Sequence, residues 1–281
     1  MASAHLGSGD GREELRDLAR NLAREAGDFA LTMRRAGVDV AGQKSSAVDI
    51  VTKADQATEQ LIRERLHAVR PNDGVLGEEG SSVSGTSGLT WVVDPIDGTV
   101  NYLYGIPAWG VSIAVVEGEP DPSTWTTVAG AVANPSTGEV FSAAVGLGAD
   151  VNGRALSVSS SQGLATSLVA TGFAYSSEVR AHQGTMLHTI LPRVRDIRRA
   201  GACSLDLCDL ADGRVDAFFE QTLSPWDHAA GALIAREAGA IITGFPGKPE
   251  GRDLLVAAAP GLHAALLSLI VEAGADQLPG L

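Results

Sequence analysis

Apolar side chains recur at helical spacing in two segments near the start of the chain. The first segment carries Leu15, Leu18, Leu22, Ala26, Phe29 and Met33. Arg and Glu residues lie between these positions, and the pattern stops at Gly37. The second segment runs from Asp55 to Arg70 and is followed by Pro71, which disfavours helix at the residue before it. We therefore predict two amphipathic helices, preceded by a flexible tail over the small and polar residues 1–11.

Short β-rich runs separated by turn residues follow the helices. They are Trp91–Val93, Val111–Val116, Val128–Ala133 and Val140–Val145. After about Ala165, strand patterns over 168–173, 196–199, 215–220 and 254–259 alternate with helical patterns through His188 and Leu210, over 227–239 and at the C-terminus. This order predicts one domain over residues 12–281, with an antiparallel first half to about 160 and an α/β second half from about 165. The fold class is a mixed α/β layered sandwich.

Composition narrows the possible partners of this domain. The chain has 281 residues, 44% of them hydrophobic, and a formal net charge of -13, which opposes binding to nucleic acid or to an anionic membrane. An anionic substrate would need cations placed locally. No stretch reaches the roughly 18 apolar residues of a membrane span, and two cysteines, Cys203 and Cys208, make no disulfide framework. We expect a cytoplasmic protein that binds neither nucleic acid nor membrane.

Two carboxylates end the strand pattern Trp91-Val-Val-Asp94-Pro-Ile-Asp97-Gly-Thr99. Proline restricts its own backbone and that of Asp94, so Asp94, Asp97 and the Ile96 carbonyl can face one space. Gly98 permits close approach of the backbone, and helical amides after it would suit phosphate oxygens. The alternative is an ordinary Asp-Pro turn followed by an Asp-Gly turn.

Three further acids stand where strands end or helices begin. Glu78 lies in Gly77-Glu78-Glu79-Gly80, which is alternatively an exposed acidic turn. Asp227 stands where an apolar helix begins and is alternatively its N-cap or a first-turn acid. Asp55 precedes another helix and is alternatively only its cap. A cluster of these three with Asp94 and Asp97 would offer hard oxygen ligands, which suit magnesium and not zinc.

Three segments resemble the signatures of the inositol monophosphatase family. They are Gly77-Glu78-Glu79, Asp94-Pro-Ile-Asp-Gly-Thr99 and Trp226-Asp227-His-Ala-Ala-Gly231. The resemblance extends over nearly the whole chain, including Lys44-Ser-Ser-Ala-Val-Asp49 and the segment from Arg199 to Asp206. It implies a five-layered αβαβα sandwich, a homodimer, two or three Mg²⁺ ions in each active site and, in many members, inhibition by lithium.

The resemblance also implies roles for individual residues. Glu78, Asp94 and the Ile96 carbonyl would bind a first Mg²⁺, and Asp94, Asp97 and Asp227 a second, while Glu78 and water would hold a third. Thr99, hydrogen-bonded to Asp55, would orient the attacking water together with Glu78. The substrate contacts would be Asp97, Gly98, Thr99, Gly201, Ala202, Cys203, Glu220 and Asp227.

The implied substrate is a small phosphorylated polyol, with inositol monophosphate preferred because Glu220 and the Gly201 region resemble that branch. Histidinol phosphate, fructose 1,6-bisphosphate and adenosine 3′,5′-bisphosphate are the alternatives. Family members often read Gly-Thr-Ala or Gly-Ser-Ala where this chain has Gly201-Ala202-Cys203, so one hydroxyl is missing beside the polyol and the preference among polyols is open. A different class of function is a non-catalytic regulatory protein on the same fold.

Overall fold

The computed structural model describes residues 9–44, 50–118, 121, 123–161 and 163–279. Its α-helices are α1 (Gly9–Ala36), α2 (Lys53–Val69), α3 (Thr99–Tyr104), α4 (Ser177–Ile190), α5 (Cys203–Ala211), α6 (Pro225–Glu237) and α7 (His263–Glu272). Its strands are β1 (Val40–Gln43), β2 (Ile50–Thr52), β3 (Gly74–Gly77), β4 (Leu89–Asp97), β5 (Gly110–Glu117), β6 (Thr126–Asn134), β7 (Glu139–Ala144), β8 (Ala149–Val151), β9 (Arg154–Ala155), β10 (Leu168–Thr171), β11 (Asp196–Arg198), β12 (Ala217–Glu220), β13 (Ile241–Thr243) and β14 (Leu255–Ala258).

The strands of the first large sheet, β3 to β9, neighbour one another in the order of the sequence. Strand β3 runs parallel to β4, and every later pair is antiparallel. This order confirms the predicted meander and adds the short hairpin of β8 and β9. Because β4 is buried along its whole length, the sheet is covered on both faces.

The second large sheet has the order β11-β10-β12-β14-β13. Strand β10 is parallel to β11 and β12, whereas β14 is antiparallel to β12 and β13. The predicted parallel character therefore holds for three of these strands. The sequence pattern missed β13, which has only three residues.

Three apolar clusters separate the layers. One joins α1 and α2 to the first sheet, through residues such as Leu22, Ile62 and Trp91. The largest joins the two sheets through α5 and α6, and the third packs α4 and α7 on the outer face of the second sheet. The order is helices, sheet, helices, sheet, helices, which confirms the five-layered αβαβα sandwich.

Two boundaries differ from the sequence-based expectation. Helix α1 begins at Gly9, so residues 9–11 of the predicted tail are helical, while residues 1–8 lie outside the described part of the chain. Helix α2 begins at Lys53, with Thr52 as its N-cap, rather than at Asp55. Cys203 and Cys208 are both buried on α5 as free thiols. Among the described helices, none has the length and apolar character needed to cross a membrane.

Candidate active site

Strand ends and helix starts surround one cavity of about 540 Å³. Its wall includes eleven residues that the sequence singled out: Glu78, Asp94, Ile96, Asp97, Gly98, Thr99, Gly201, Ala202, Cys203, Glu220 and Asp227. The remaining candidate, Asp55, is fully buried and contacts the site through Thr99. The fold thus brings together residues from both halves of the chain.

The end of β4 carries the two central carboxylates. Strand structure continues through Asp97, with a shift in register to β5 between Asp94 and Asp97, so the alternative of an Asp-Pro turn is wrong, while a turn does follow Asp97 at Gly98. The Ile96 backbone N–H donates to Asp94 Oδ1 at 3.1 Å. Asp97 Oδ2 accepts from the backbone N–H of Ser204 at 2.7 Å and from its hydroxyl at 2.5 Å. These bonds fix Asp97 against the start of α5.

Gly98 makes the turn from β4 into α3. Its φ of 89° lies in the left-handed region, and a Cβ there would lie 3.1 Å from the carbonyl oxygens of Ala108 and Gly201. The next residue, Thr99, places its hydroxyl 3.0 Å from Asp55 Oδ1 and 3.1 Å from the Ile96 carbonyl oxygen. The Thr99 hydroxyl therefore lies between Asp55, its predicted catalytic partner, and the Ile96 carbonyl, a predicted metal ligand.

Asp55 and Asp227 each occupy the third position of a helix, where a carboxylate accepts the backbone N–H of the N-cap residue. Asp55 Oδ2 accepts the Thr52 N–H at 2.8 Å, and Asp227 Oδ2 accepts the Ser224 N–H at 2.6 Å. Both acids therefore lie in the first turn, as one alternative for Asp227 had it, and the alternative of a helix cap is wrong for both because Thr52 and Ser224 are the N-caps. This position does not exclude a role in the site, because each carboxylate keeps a second oxygen.

The Gly77–Gly80 turn is held on both sides. The Glu78 backbone N–H donates to the Val93 carbonyl at 3.2 Å, and Lys44 Nζ lies 2.7 Å from Glu78 Oε1. Lys44 also pairs with Glu79, whose side chain is only 6% exposed. The alternative of an exposed acidic turn is therefore wrong. Ser45–Asp49, which belong to the same sequence motif as Lys44, lie outside the described residues.

Burial, together with the crowding of negative charge, raises the pKa values of several carboxylates in the cavity. Burial, followed by the charges of Glu78, Asp97 and Asp227, raises the pKa of Asp94 well above its usual range. Burial also raises the pKa of Asp227, of Asp97 to about 6 and of Glu220 to about 8. Such shifts are typical of functional sites, and they show a surplus of negative charge that a cation would relieve.

Cationic side chains were harder to place from the sequence. Lys44, Arg199 and Arg252 line the cavity, and the guanidinium carbon of Arg199 lies 5.9 Å from the centre of the Phe173 ring. The basic residues near Arg199 do not all face the cavity. Arg193 and Arg198 instead form exposed ion pairs with Glu272 and Asp196, respectively. Thr222, another wall residue, carried no sequence signal.

Comparison with known proteins decides the family. Residues 11–275 match the inositol monophosphatase family, which is most of the chain. The chain belongs to the inositol monophosphatase family. Both the resemblance and the predicted enzyme class, a phosphoric monoester hydrolase, are confirmed.

Relatives of this family member come from several bacteria. An "Inositol-1-monophosphatase" of Mycobacterium leprae is 45% identical, covering 92% of this chain and 94% of the relative. The solved structure "Mycobacterium tuberculosis SuhB" is 42% identical with a TM-score of 0.79, covering 94% of this chain and 98% of that one. A "Nus factor SuhB" of Pasteurella multocida is 35% identical, covering 93% of this chain and 97% of the relative.

The donor set of this family member suits a hard cation. The four predicted carboxylate ligands, Glu78, Asp94, Asp97 and Asp227, line the same cavity as the Ile96 carbonyl, and no histidine lies in its wall. Oxygen-only ligands of this kind fit magnesium. In the described part of the chain, no three His, Cys, Asp or Glu side chains already converge in a geometry that holds an ion. The assignment of Mg²⁺ to this site therefore rests on the chemistry of the oxygen donors and on their presence in one cavity.

Proposed function

We propose that this member of the family is a Mg²⁺-dependent phosphomonoesterase that hydrolyses myo-inositol monophosphate to inositol and phosphate. The observation that carries the proposal is the meeting of Glu78, Asp94, Asp97 and Asp227 in one cavity with Glu220 in its wall. Similarity to the mycobacterial inositol-1-monophosphatase supports the substrate.

Two ions would share the carboxylates. Glu78, Asp94 and the Ile96 carbonyl would hold the first, Asp94, Asp97 and Asp227 the second, and Glu78 with water a weaker third. When bound, Mg²⁺ lowers the pKa of water and neutralises charge that develops on the phosphoryl group. Each ligand already has a fixed neighbour, such as Ser204 for Asp97, which limits its movement.

Thr99 and Asp55 would control the proton of the attacking water. If the Thr99 hydroxyl donates to Asp55 Oδ1, at 3.0 Å, its oxygen lone pairs are free to accept from water. Glu78 accepts from the other side and aims the water at phosphorus. The new P–O bond forms as the ester P–O bond breaks, and a second water protonates the leaving alkoxide.

The phosphate and the polyol would occupy different parts of the cavity. Gly98 and Thr99 lie at the start of α3 and would donate backbone N–H groups to phosphate oxygens. Gly201, Ala202, Cys203, Glu220 and Asp227 would contact the ring. A homodimer and inhibition by lithium remain predictions of the family resemblance, and a cytoplasmic location remains a prediction of the sequence composition.

Phosphate release is the direct test. The protein is assayed with and without Mg²⁺ on myo-inositol 1-phosphate, histidinol phosphate, fructose 1,6-bisphosphate and adenosine 3′,5′-bisphosphate, beside the Asp94→Asn variant. We expect Mg²⁺-dependent release, fastest from the inositol ester, and loss of release in the variant. Faster release from another ester would contradict the substrate.

A non-catalytic binding role is the second candidate, because a relative carries the name Nus factor. Absence of phosphate release from all four esters by the unmodified protein would favour this candidate. The Asp94→Asn variant separates the two roles, since it should lose catalysis while its surface outside the cavity is unchanged.

A further inference from the structure

Thr222 has an unfavourable backbone conformation in the wall of the cavity. Its φ is 69°, in the left-handed region. Among the described residues, Asn152 is the other non-glycine with positive φ, and asparagine tolerates this region well. A β-branched residue such as threonine is a true outlier there, and strain of this kind clusters at functional sites.

The neighbouring chain holds Thr222 in this conformation. Its backbone N–H donates to the Arg252 carbonyl at 2.6 Å. The preceding residue, Gln221, is buried and donates through Nε2 to the carbonyls of Asp253 and Ala275, both at 3.0 Å. The following residue, Leu223, is buried as well. The segment is therefore fixed on both sides, and Thr222 cannot relax by a local shift alone.

Hydrogen bonding within the described part of the protein does not explain why threonine stands at position 222. Thr222 lines the cavity, and its hydroxyl has no hydrogen-bond partner among the residues that the structure describes. Glycine would give the same turn without strain, because it adopts positive φ readily. What threonine adds over glycine is therefore whatever its side chain contacts in the cavity.

The position of Thr222 indicates which part of a substrate it meets. It follows Glu220 and precedes Asp227, the two acids proposed to accept hydrogen bonds from ring hydroxyls. Ala202, which also lines the wall, supplies no hydroxyl. A threonine hydroxyl both donates and accepts, so it can bond a ring hydroxyl in either sense.

We propose that Thr222 determines specificity for the polyol, its hydroxyl forming a hydrogen bond to a ring hydroxyl of the phosphorylated substrate. This inference rests on the proposed phosphatase function and deepens it. Thr222 binds the ring and takes no part in activating water. It therefore affects which phosphate ester the enzyme prefers.

The test compares two esters that differ in ring hydroxyls, myo-inositol 1-phosphate and cyclohexyl phosphate, in the full-length protein with Mg²⁺. In Thr222→Val, kcat/KM for the inositol ester should fall about 5- to 10-fold, the usual effect of one lost hydrogen bond. Its kcat/KM for cyclohexyl phosphate should not change. Thr222→Ser keeps the hydroxyl and should retain the preference of the unmodified protein.

Thr222→Gly supplies a second, independent readout. It should lose the same preference while its Tm rises by about 2 °C or more, because glycine relieves the backbone strain. Lost function with gained stability is the opposite of what a merely structural role would give. Equal ratios of the two kcat/KM values in Thr222→Val and the unmodified protein would overturn the inference, as would a lower Tm in Thr222→Gly.

Failure of the proposed function gives a different pattern. In that case the unmodified protein itself releases no phosphate from either ester, and the inference falls with the function. If the unmodified protein is active and only the Thr222 variants leave the ratio unchanged, the proposed function stands and the role of Thr222 is wrong.

Discussion

Glu59 Oε2 accepts the backbone N–H of Glu79 at 2.8 Å. The other carboxylate oxygen of Glu59 pairs with Arg63 Nε, also at 2.8 Å, and Glu59 is only 2% exposed. Glu59 lies four residues after Asp55 on α2, so the two side chains share one face of the helix. One helix therefore supports Thr99 through Asp55 and the turn that carries Glu78 through Glu59.

Removal of this support should weaken metal binding. In Glu59→Ala we expect the Mg²⁺ affinity to fall about 10- to 100-fold, the usual effect of losing a group that orients a metal ligand. Glu59→Gln should lose less, since its amide oxygen still accepts the Glu79 N–H. Calorimetric titration with Mg²⁺ measures the affinity. Hydrogen exchange of the Glu79 amide in metal-free protein reports on its hydrogen bond to Glu59.

Thr58→Val is the matched control for Glu59. Thr58 is fully buried on the same helix, and its hydroxyl has no hydrogen-bond partner among the described residues. The control should leave both Mg²⁺ affinity and Glu79 exchange close to those of the unmodified protein. Glu59→Ala with the affinity of the control would show that Glu59 does not position Glu78.

The same contact predicts the effect of a change at Gly77. A Cβ at Gly77 would lie 2.5 Å from the Glu59 carboxylate, so Gly77→Ala must displace either the turn or Glu59. We expect a lower Tm and weaker Mg²⁺ binding. Gly184→Ala on α4 is the control, because a Cβ there meets nothing within 4 Å. It should be neutral or stabilise the helix by up to about 1 kcal/mol. Similar Tm values for the two variants would contradict the prediction.

Local patterns singled out several of the acids that line the cavity, while Glu220 came only from the family resemblance and Asp253 was not predicted. Asp94 and Asp97 follow an apolar strand, and Asp227 begins an apolar helix, so their placement at element ends depends on short-range sequence alone. The layers were predictable for the same reason, since the longer helices and strands have clear periods. The three-residue strand β13 has too few positions for a period.

Contacts between distant residues could not be predicted in this way. Ser204 holds Asp97, and Glu59 holds Glu79, but nothing in either segment identifies its partner. Lys44 stood in a recognised motif, yet its ion pair with Glu78 depends on how β1 packs beside the site. Such pairs are set by tertiary packing, which local sequence patterns do not encode.

The hydrogen bond between Thr99 and Asp55 should control turnover more than binding. We expect Asp55→Asn to lower kcat about 100-fold or more with little change in KM, because the effect is on proton transfer and not on substrate contact. Thr99→Val should show the same loss, and Thr99→Ser, which keeps the hydroxyl, should recover most of it. Steady-state kinetics at saturating Mg²⁺ distinguish these cases. A raised KM with unchanged kcat in Asp55→Asn would assign Asp55 a binding role instead.

The raised pKa values of the cavity acids predict how stability depends on pH in metal-free protein. Burial, with the charges of Asp206 and Asp97, raises the pKa of Glu220 to about 8, and burial raises that of Asp97 to about 6. An unfolded chain releases these protons near pH 4. Between pH 4 and 8 the folded state therefore binds more protons than the unfolded state, and the free energy of unfolding falls as pH rises.

We accordingly expect the Tm of metal-free protein to be lower at pH 8 than at pH 5. Glu220→Gln removes one buried acid that stays protonated up to about pH 8, so the decline should become shallower over the whole range from about pH 4 to 8. Thermal melts in a chelating buffer measure both. Addition of Mg²⁺ should raise the Tm more at pH 8 than at pH 5, because carboxylates bind metal only after they lose their protons. The slope of Tm against pH from pH 6 to 8 could instead be identical in Glu220→Gln and in the unmodified protein. That result would mean that Glu220 is already ionised in the folded state. Glu220 would then accept hydrogen bonds from a substrate as a carboxylate throughout this range.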